Sequence, residues 1–225
     1  MMAVLQLQLP DNLFIKDPQT TELGKKIVRE SIRMIDQLGF ESFTFRKLSI
    51  EIDSTEASIY RYFENKHRLL LYLITWYWAW LEYRIEYNTH HISDPIERLE
   101  KIIKIVCDEP IADDAFPDIN EVALSRIVTA ESDKTYLTKQ VDQDNEEGLF
   151  KGYKNLCHDI AMIIRDINPK FEYPHALVST ILEASSQQIF FARHLPSLTE
   201  IKNDKSIYHT NYKFLKSLVF KTIQA

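Results

Sequence analysis

Nine side chains between Thr44 and Lys66 carry the densest recognition chemistry of this chain: Thr44, Arg46, Thr55, Glu56, Ser58, Tyr60, Arg61, Tyr62 and Lys66. They supply hydroxyls, two guanidinium forks, an ammonium, a carboxylate and two phenol rings. A guanidinium can grip paired acceptors through two parallel hydrogen bonds, which gives geometric selectivity as well as attraction. The set offers binding chemistry, with no arrangement of nucleophile and base for bond cleavage.

Two short helices joined by a tight turn must position these groups. Thr44 is placed to cap the first, because its hydroxyl can accept an otherwise unpaired backbone N–H. Leu48 and Ile52 then share one face. Asp53 and Ser54 interrupt the pattern with turn chemistry. Thr55 caps a second helix that runs to Phe63 and buries Ile59 and Phe63. Helices this short bury too little surface alone and need flanking support. An earlier helix supplies it, opened by Asp17-Pro18, striped with Ile27, Val28, Ser31, Ile32, Ile35 and Leu38, and ended by Gly39. Asn65 caps a long helix from Lys66 to Asn88. A helix-turn-helix whose second helix enters the DNA major groove fits this pattern.

The quotable motifs are Ile27, Ser31 and Ile35, then Gly39, Phe43-Thr44, Arg46-Lys47-Leu48-Ser49, and above all Ser58-Ile59-Tyr60-Arg61-Tyr62-Phe63-Glu64-Asn65-Lys66 followed by Leu69. Over roughly residues 22–70 they resemble the DNA-binding domain of TetR-family transcriptional regulators. The turn departs from that family: Asp53 and Ser54 stand where glycine and an aliphatic residue are usual. Aspartate tolerates left-handed backbone better than most residues.

The resemblance implies an all-α fold with a tail over 1–16, a three-helix DNA-binding head over 17–65, and a helical effector-binding and dimerisation domain over 66–225. It further implies a cytoplasmic homodimer on a palindromic operator in double-stranded DNA, a repressor released by a small apolar or aromatic effector. Dimerisation falls to helices near 175–194 and 205–223. On this reading Thr44, Arg46, Tyr60 and Lys66 hold phosphates, and Glu56, Ser58, Arg61 and Tyr62 approach base edges, with Thr55 beside them. Arg61 would fork onto a guanine and Glu56 accept from a cytosine amino group, each worth about 1–3 kcal/mol of discrimination. Glu56 reads equally as a favourable charge at a helix N-terminus, and Tyr62 also reads as packing at the helix edge.

The long helix holds Tyr72, Trp76, Tyr77, Trp78, Trp80, Tyr83 and Tyr87. One reading is core packing. The other makes Trp76, Trp80 and Tyr83, with Cys107 and Tyr153, the wall of an effector cavity, since aromatic rings give contact area and a polar handle. Further helices are expected over about 95–107, 122–130, 135–167 (interrupted at Gly148 and Gly152), 175–194 and 205–223. The acidic stretch from Asp108 to Glu121 lacks a calcium-loop pattern and reads as a solvated loop.

Composition excludes several classes. The net charge of −6 disfavours nucleic acid as a whole-molecule argument, yet residues 16–70 carry ten Lys/Arg against nine Asp/Glu, leaving −7 for the rest. Four glycines form neither a phosphate loop nor a dinucleotide fingerprint. Seven scattered histidines make no metal-binding pair, and no nucleophile elbow occurs, so no enzyme, metal or cofactor is expected. Cys107 and Cys157 read as reduced, buried thiols. No uncharged run is long enough to span a bilayer, and the N-terminus lacks a signal-peptide pattern. Two rival functions remain: a TetR-like small-molecule binder that has lost specific DNA binding, and a helical interaction protein using its acidic surface.

Overall fold

Helical periodicity runs the length of the sequence, and the computed structural model, which describes residues 6–224, contains helices and no strand among those residues. The helices are α1 (Glu22–Leu38), α2 (Phe45–Glu51), α3 (Glu56–Tyr60), α4 (Lys66–Thr89), α5 (Pro95–Cys107), α6 (Glu121–Glu131), α7 (Asp133–Tyr136), α8 (Val141–Glu146), α9 (Lys151–Ile167), α10 (Pro174–His194) and α11 (Ile207–Gln224). Contacts divide the chain into two units. One holds the described residues through Trp80 with Pro110–Gly152, and the other holds Leu81–Glu109 with the residues from Tyr153 onward. Residue 65, where the sequence places the end of the head, lies inside the first of these units. α4 contributes residues to both units.

In the first unit, the α1 stripe is buried through Ile35, with Ile27, Val28, Ile32 and Ile35 all at most 3% exposed, whereas Leu38 at the end of α1 is 47% exposed. Asp17-Pro18 opens only a 3-10 turn (Pro18–Thr20), and α1 proper is capped by Thr21, whose hydroxyl accepts the Gly24 N–H at 3.1 Å. The two segments pack so closely that a Cβ on Gly24 would lie 2.4 Å from the Pro18 carbonyl oxygen, so only glycine fits there. α6 lies along α1. Arg126 forks onto Asp36 at 2.8 and 2.7 Å, and the buried Glu131 accepts the Phe40 N–H at 2.9 Å.

Three expectations are corrected here. The tail over 1–16 is not loose in its described part: Leu13 is 1% exposed and the Ile15 N–H donates to the Tyr62 carbonyl at 2.8 Å. Residues 1–5 lie outside the described residues. The helical stretch over 135–167 is broken into three: one break separates α7 from α8 over 137–140, and at the other Gly148 adopts φ +79°, which ends α8 and turns the chain before α9. The segment from Asp108 to Glu121 is irregular but not wholly solvated, since Phe116 is buried edge-on to Trp76 at 5.3 Å and Glu121 is fully buried.

In the second unit, α5, α10 and α11 pack together. Leu99, Ile102, Val178, Leu215 and Val219 supply that core, each at most 2% exposed. Asn211 is buried and donates to the Ser185 carbonyl at 2.7 Å, locking α11 to α10. Tyr212 donates to Glu100 at 2.9 Å, and Lys216 bonds the same carboxylate, pinning α11 to α5. Both partners hold the Glu100 carboxyl below its ordinary value, Lys216 foremost.

Candidate nucleic-acid interface

Both short helices start at their expected caps, but α3 ends at Tyr60 and not at Phe63. Thr44 accepts the Lys47 N–H and Thr55 the Ser58 N–H, both at 3.2 Å. Leu48, Ile52, Ile59 and Phe63 are at most 2% exposed. The turn between them is a Schellman motif. Asp53 adopts φ +52°, Ser54 N–H bonds the Ser49 carbonyl at 2.8 Å, and Asp53 N–H bonds the Ile50 carbonyl at 3.2 Å. Aspartate thus takes the left-handed position that glycine usually fills. The Lys26 ammonium donates to the Ile52 carbonyl at 2.7 Å and closes the end of α2.

The nine sequence candidates separate into two groups. Thr44, Arg46, Thr55, Glu56, Tyr60 and Arg61 stand exposed on the outer side of α2 and α3. Among the described residues the Arg46 guanidinium and the Glu56 carboxylate have no hydrogen-bond or ion-pair partner. Arg61 reaches the Ser58 hydroxyl only at 3.5 Å, a weak contact. Ser58, Tyr62 and Lys66 do not belong with them. Ser58 is 9% exposed, its hydroxyl 2.9 Å from that of Thr55. Tyr62 is 4% exposed, its hydroxyl 2.7 Å from that of Thr21, because α3 ends at Tyr60 and the following turn swings residue 62 inward. The Lys66 ammonium bonds the Phe40 carbonyl at 3.2 Å and covers the Phe40 ring at 4.6 Å.

Sequence reasoning missed Ala57 and Ile50. Ala57 is exposed at the start of α3, and Ile50 is 74% exposed on α2. The signal for Ala57 was its spacing of three and four from Tyr60 and Arg61, which puts it on their face. An apolar group there suits a thymine methyl.

Of the cavity candidates, Trp76, Trp80 and Cys107 are buried, and Tyr83 and Tyr153 are half-buried. Trp76 and Trp80 are each 1% exposed, and the Trp78 indole N–H donates to the Tyr136 hydroxyl at 2.9 Å. Of the five proposed wall residues, Trp76 lines a cleft in the first unit, with Tyr72, Phe116 and Val28, of about 60 Å³. Small-molecule sites commonly offer roughly 300–1,000 Å³. Tyr83, Cys107 and Tyr153 belong to the second unit, where the Tyr153 hydroxyl donates to Glu183 at 3.0 Å. Burial pushes the Cys107 thiol up to about 12 and that of Cys157 to about 11, so both stay protonated near neutral pH. No cluster of three or more metal-ligating side chains occurs among the described residues, and none of their helices is long and apolar enough to cross a membrane.

Residues 27–73 match the family model described as bacterial regulatory proteins, tetR family. Among curated proteins none matches the chain. Of solved structures, the chain is similar to AibR in complex with isovaleryl coenzyme A and operator DNA, at 12% identity and a TM-score of 0.61, covering 91% of this chain and 98% of that one. It is similar to the fatty acid degradation regulator FadR from Bacillus halodurans at 17% identity and TM-score 0.61, covering 86% and 96%. The ketosteroid transcriptional regulator KstR2 of Mycobacterium tuberculosis follows at 13% identity and TM-score 0.53, covering 87% and 92%. At these identities the likeness is one of fold. Residues 27–73 thus carry the tetR-family helix-turn-helix, and every regular element among the described residues is helical.

Proposed function

We propose that the protein is a homodimeric repressor that reads a palindromic operator through α3 and releases it when a small effector binds. The observation that carries this reading is the outer face of the helix-turn-helix, where Arg46 and Glu56 are exposed without partners and Tyr60 and Arg61 stand beside them. Buried, satisfied groups would leave such a helix nothing to offer a duplex. On this face Thr44 and Arg46 take phosphates, while Glu56, Ala57, Tyr60 and Arg61 meet base edges, with Thr55 at the rim. Dimerisation through α10 and α11 is supported by Phe190 and Phe214, 38% and 45% exposed on those helices. A twofold dimer would set its recognition helices about 34–36 Å apart, one turn of duplex. Effector control draws support from AibR, whose structure holds both isovaleryl coenzyme A and operator DNA. An effector that prefers one head spacing by about 5.5 kcal/mol would take operator occupancy from nearly full to nearly empty.

Selection of bound duplexes from a random pool tests the reading. A twofold-symmetric motif, bound with an affinity that falls steeply with salt, is the expected result. A pool that returns no motif would leave the protein a small-molecule binder on the same fold.

A further inference from the structure

Residues 12–16 lie against the helix-turn-helix without belonging to it. Leu13 is buried at 1% exposure, and Phe14 meets Tyr72 edge-on at 6.2 Å. The Ile15 N–H donates to the Tyr62 carbonyl at 2.8 Å, and the Lys16 ammonium stands 5.4 Å from the centre of the Tyr62 ring. On the other side, the Asn12 amide donates to the Glu147 carbonyl at 2.6 Å. The Glu147 carboxylate in turn takes Arg68, in the first turn of α4, at 2.6 Å.

α3 is five residues long, too short to hold itself, since a first helical turn costs more order than its few bonds return. Carbonyls just past a helix end lack intrahelical donors and need partners from elsewhere. Ile15 provides one at Tyr62. We propose that residues 12–16 are a strap that positions α3, tying the chain just past its end to Glu147 and so to the first turn of α4. Tyr60 and Arg61 stand on the turn that this strap closes, so their aim depends on it. The inference rests on the proposed DNA reading only for what the positioned helix is used for. Lys16, the one cation of the strap, is spent on the Tyr62 ring, which argues for a clamp and against an arm that itself follows a duplex groove.

The test uses full-length Leu13→Ser with Leu13→Met as the conservative control. Amide hydrogen exchange and affinity for the selected duplex are compared with wild type. In Leu13→Ser, exchange at Tyr62 and Phe63 should rise at least about tenfold while the amides of α10 keep their protection. Duplex affinity should fall by about tenfold with an unchanged salt slope, because no phosphate contact is removed. Leu13→Met should restore both. Unchanged exchange at Tyr62 and Phe63 would overturn the strap, and so would equal loosening of α10, which would make Leu13 ordinary core. A wild-type protein that selects no duplex would sink the DNA reading, while the exchange comparison would still decide the strap. Should Leu13→Ser fail to fold, Asn12→Ala removes only the bond to Glu147; a rise of about threefold at the same two amides supports the strap, and none overturns it.

Discussion

The helix-turn-helix and the aromatic part of α4 adjoin in the chain and use the same kind of side chain to opposite ends. Tyr60 keeps its ring outside, 48% exposed, leaning edge-on against Phe45 at 5.1 Å, whereas Tyr62 is 4% exposed. In α4, Tyr72, Trp76 and Trp80 are all turned inward at 1% exposure each. Coverage makes the difference. α3 is packed on one side only, and the turn that follows it carries the ring two residues on from solvent to core. The α4 segment is covered on most of its circumference, and a helix that is apolar nearly all round has no outer stripe to offer. Aromatic density therefore points to recognition only where a helix keeps an uncovered side.

The comparison breaks most sharply at Trp76. Trp76→Ala should lower unfolding free energy by about 3–5 kcal/mol in urea titrations, as expected for a large buried ring. A loss below about 1 kcal/mol would make the indole a cavity wall and restore an effector site there. Next comes Arg61→Ala, expected to forfeit about 1–3 kcal/mol of discrimination between cognate and single-base-variant duplexes, with unfolding unchanged. Unaltered base preference in competition binding would remove α3 from the groove.

The two neighbouring tyrosines sharpen the contrast further. Tyr62→Phe should cost about 0.5–1.5 kcal/mol of stability, by loss of its bond to Thr21, and leave base preference alone. Tyr60→Phe should do the reverse, so a matching pair of effects would erase the distinction between outer and inner face. Tyr212 shows a third use of the residue, and the smallest effect. Its hydroxyl and Lys216 hold Glu100 below its ordinary value of 4.5, so this pin is fully formed above that value and is lost as pH falls through the lower, folded one. The Glu100 side chain is 42% exposed, and solvent screening keeps the contribution small. Acid unfolding of Glu100→Gln should lack this component, and an identical acid profile would remove the pin from the account.

Much of the first unit was legible in residue types alone. Thr44, Thr55 and Asn65 cap as their chemistry suggests, and the pairs Leu48/Ile52 and Ile59/Phe63 are buried as spaced. The Asp53 turn forms in the left-handed region that aspartate tolerates. Tyr62, Ser58 and Lys66 take their places from neighbours that residue types alone do not reveal. Thr21, Thr55 and Phe40 are 41, 3 and 26 residues away, and only for Ser58 is the partner local. The strap was invisible for the same reason, since Leu13 is a short apolar residue without period.

Local chemistry is written in the order of residues: a hydroxyl before a helix, an apolar pair four apart, an aspartate at a turn. That much the amino-acid order determined, together with the family of the head. Which ring faces water, whether aromatics enclose space or fill it, and what holds the five-residue α3 in place were settled only when distant segments met. Burial is a property of what lies opposite a side chain, and a linear sequence does not state its opposites.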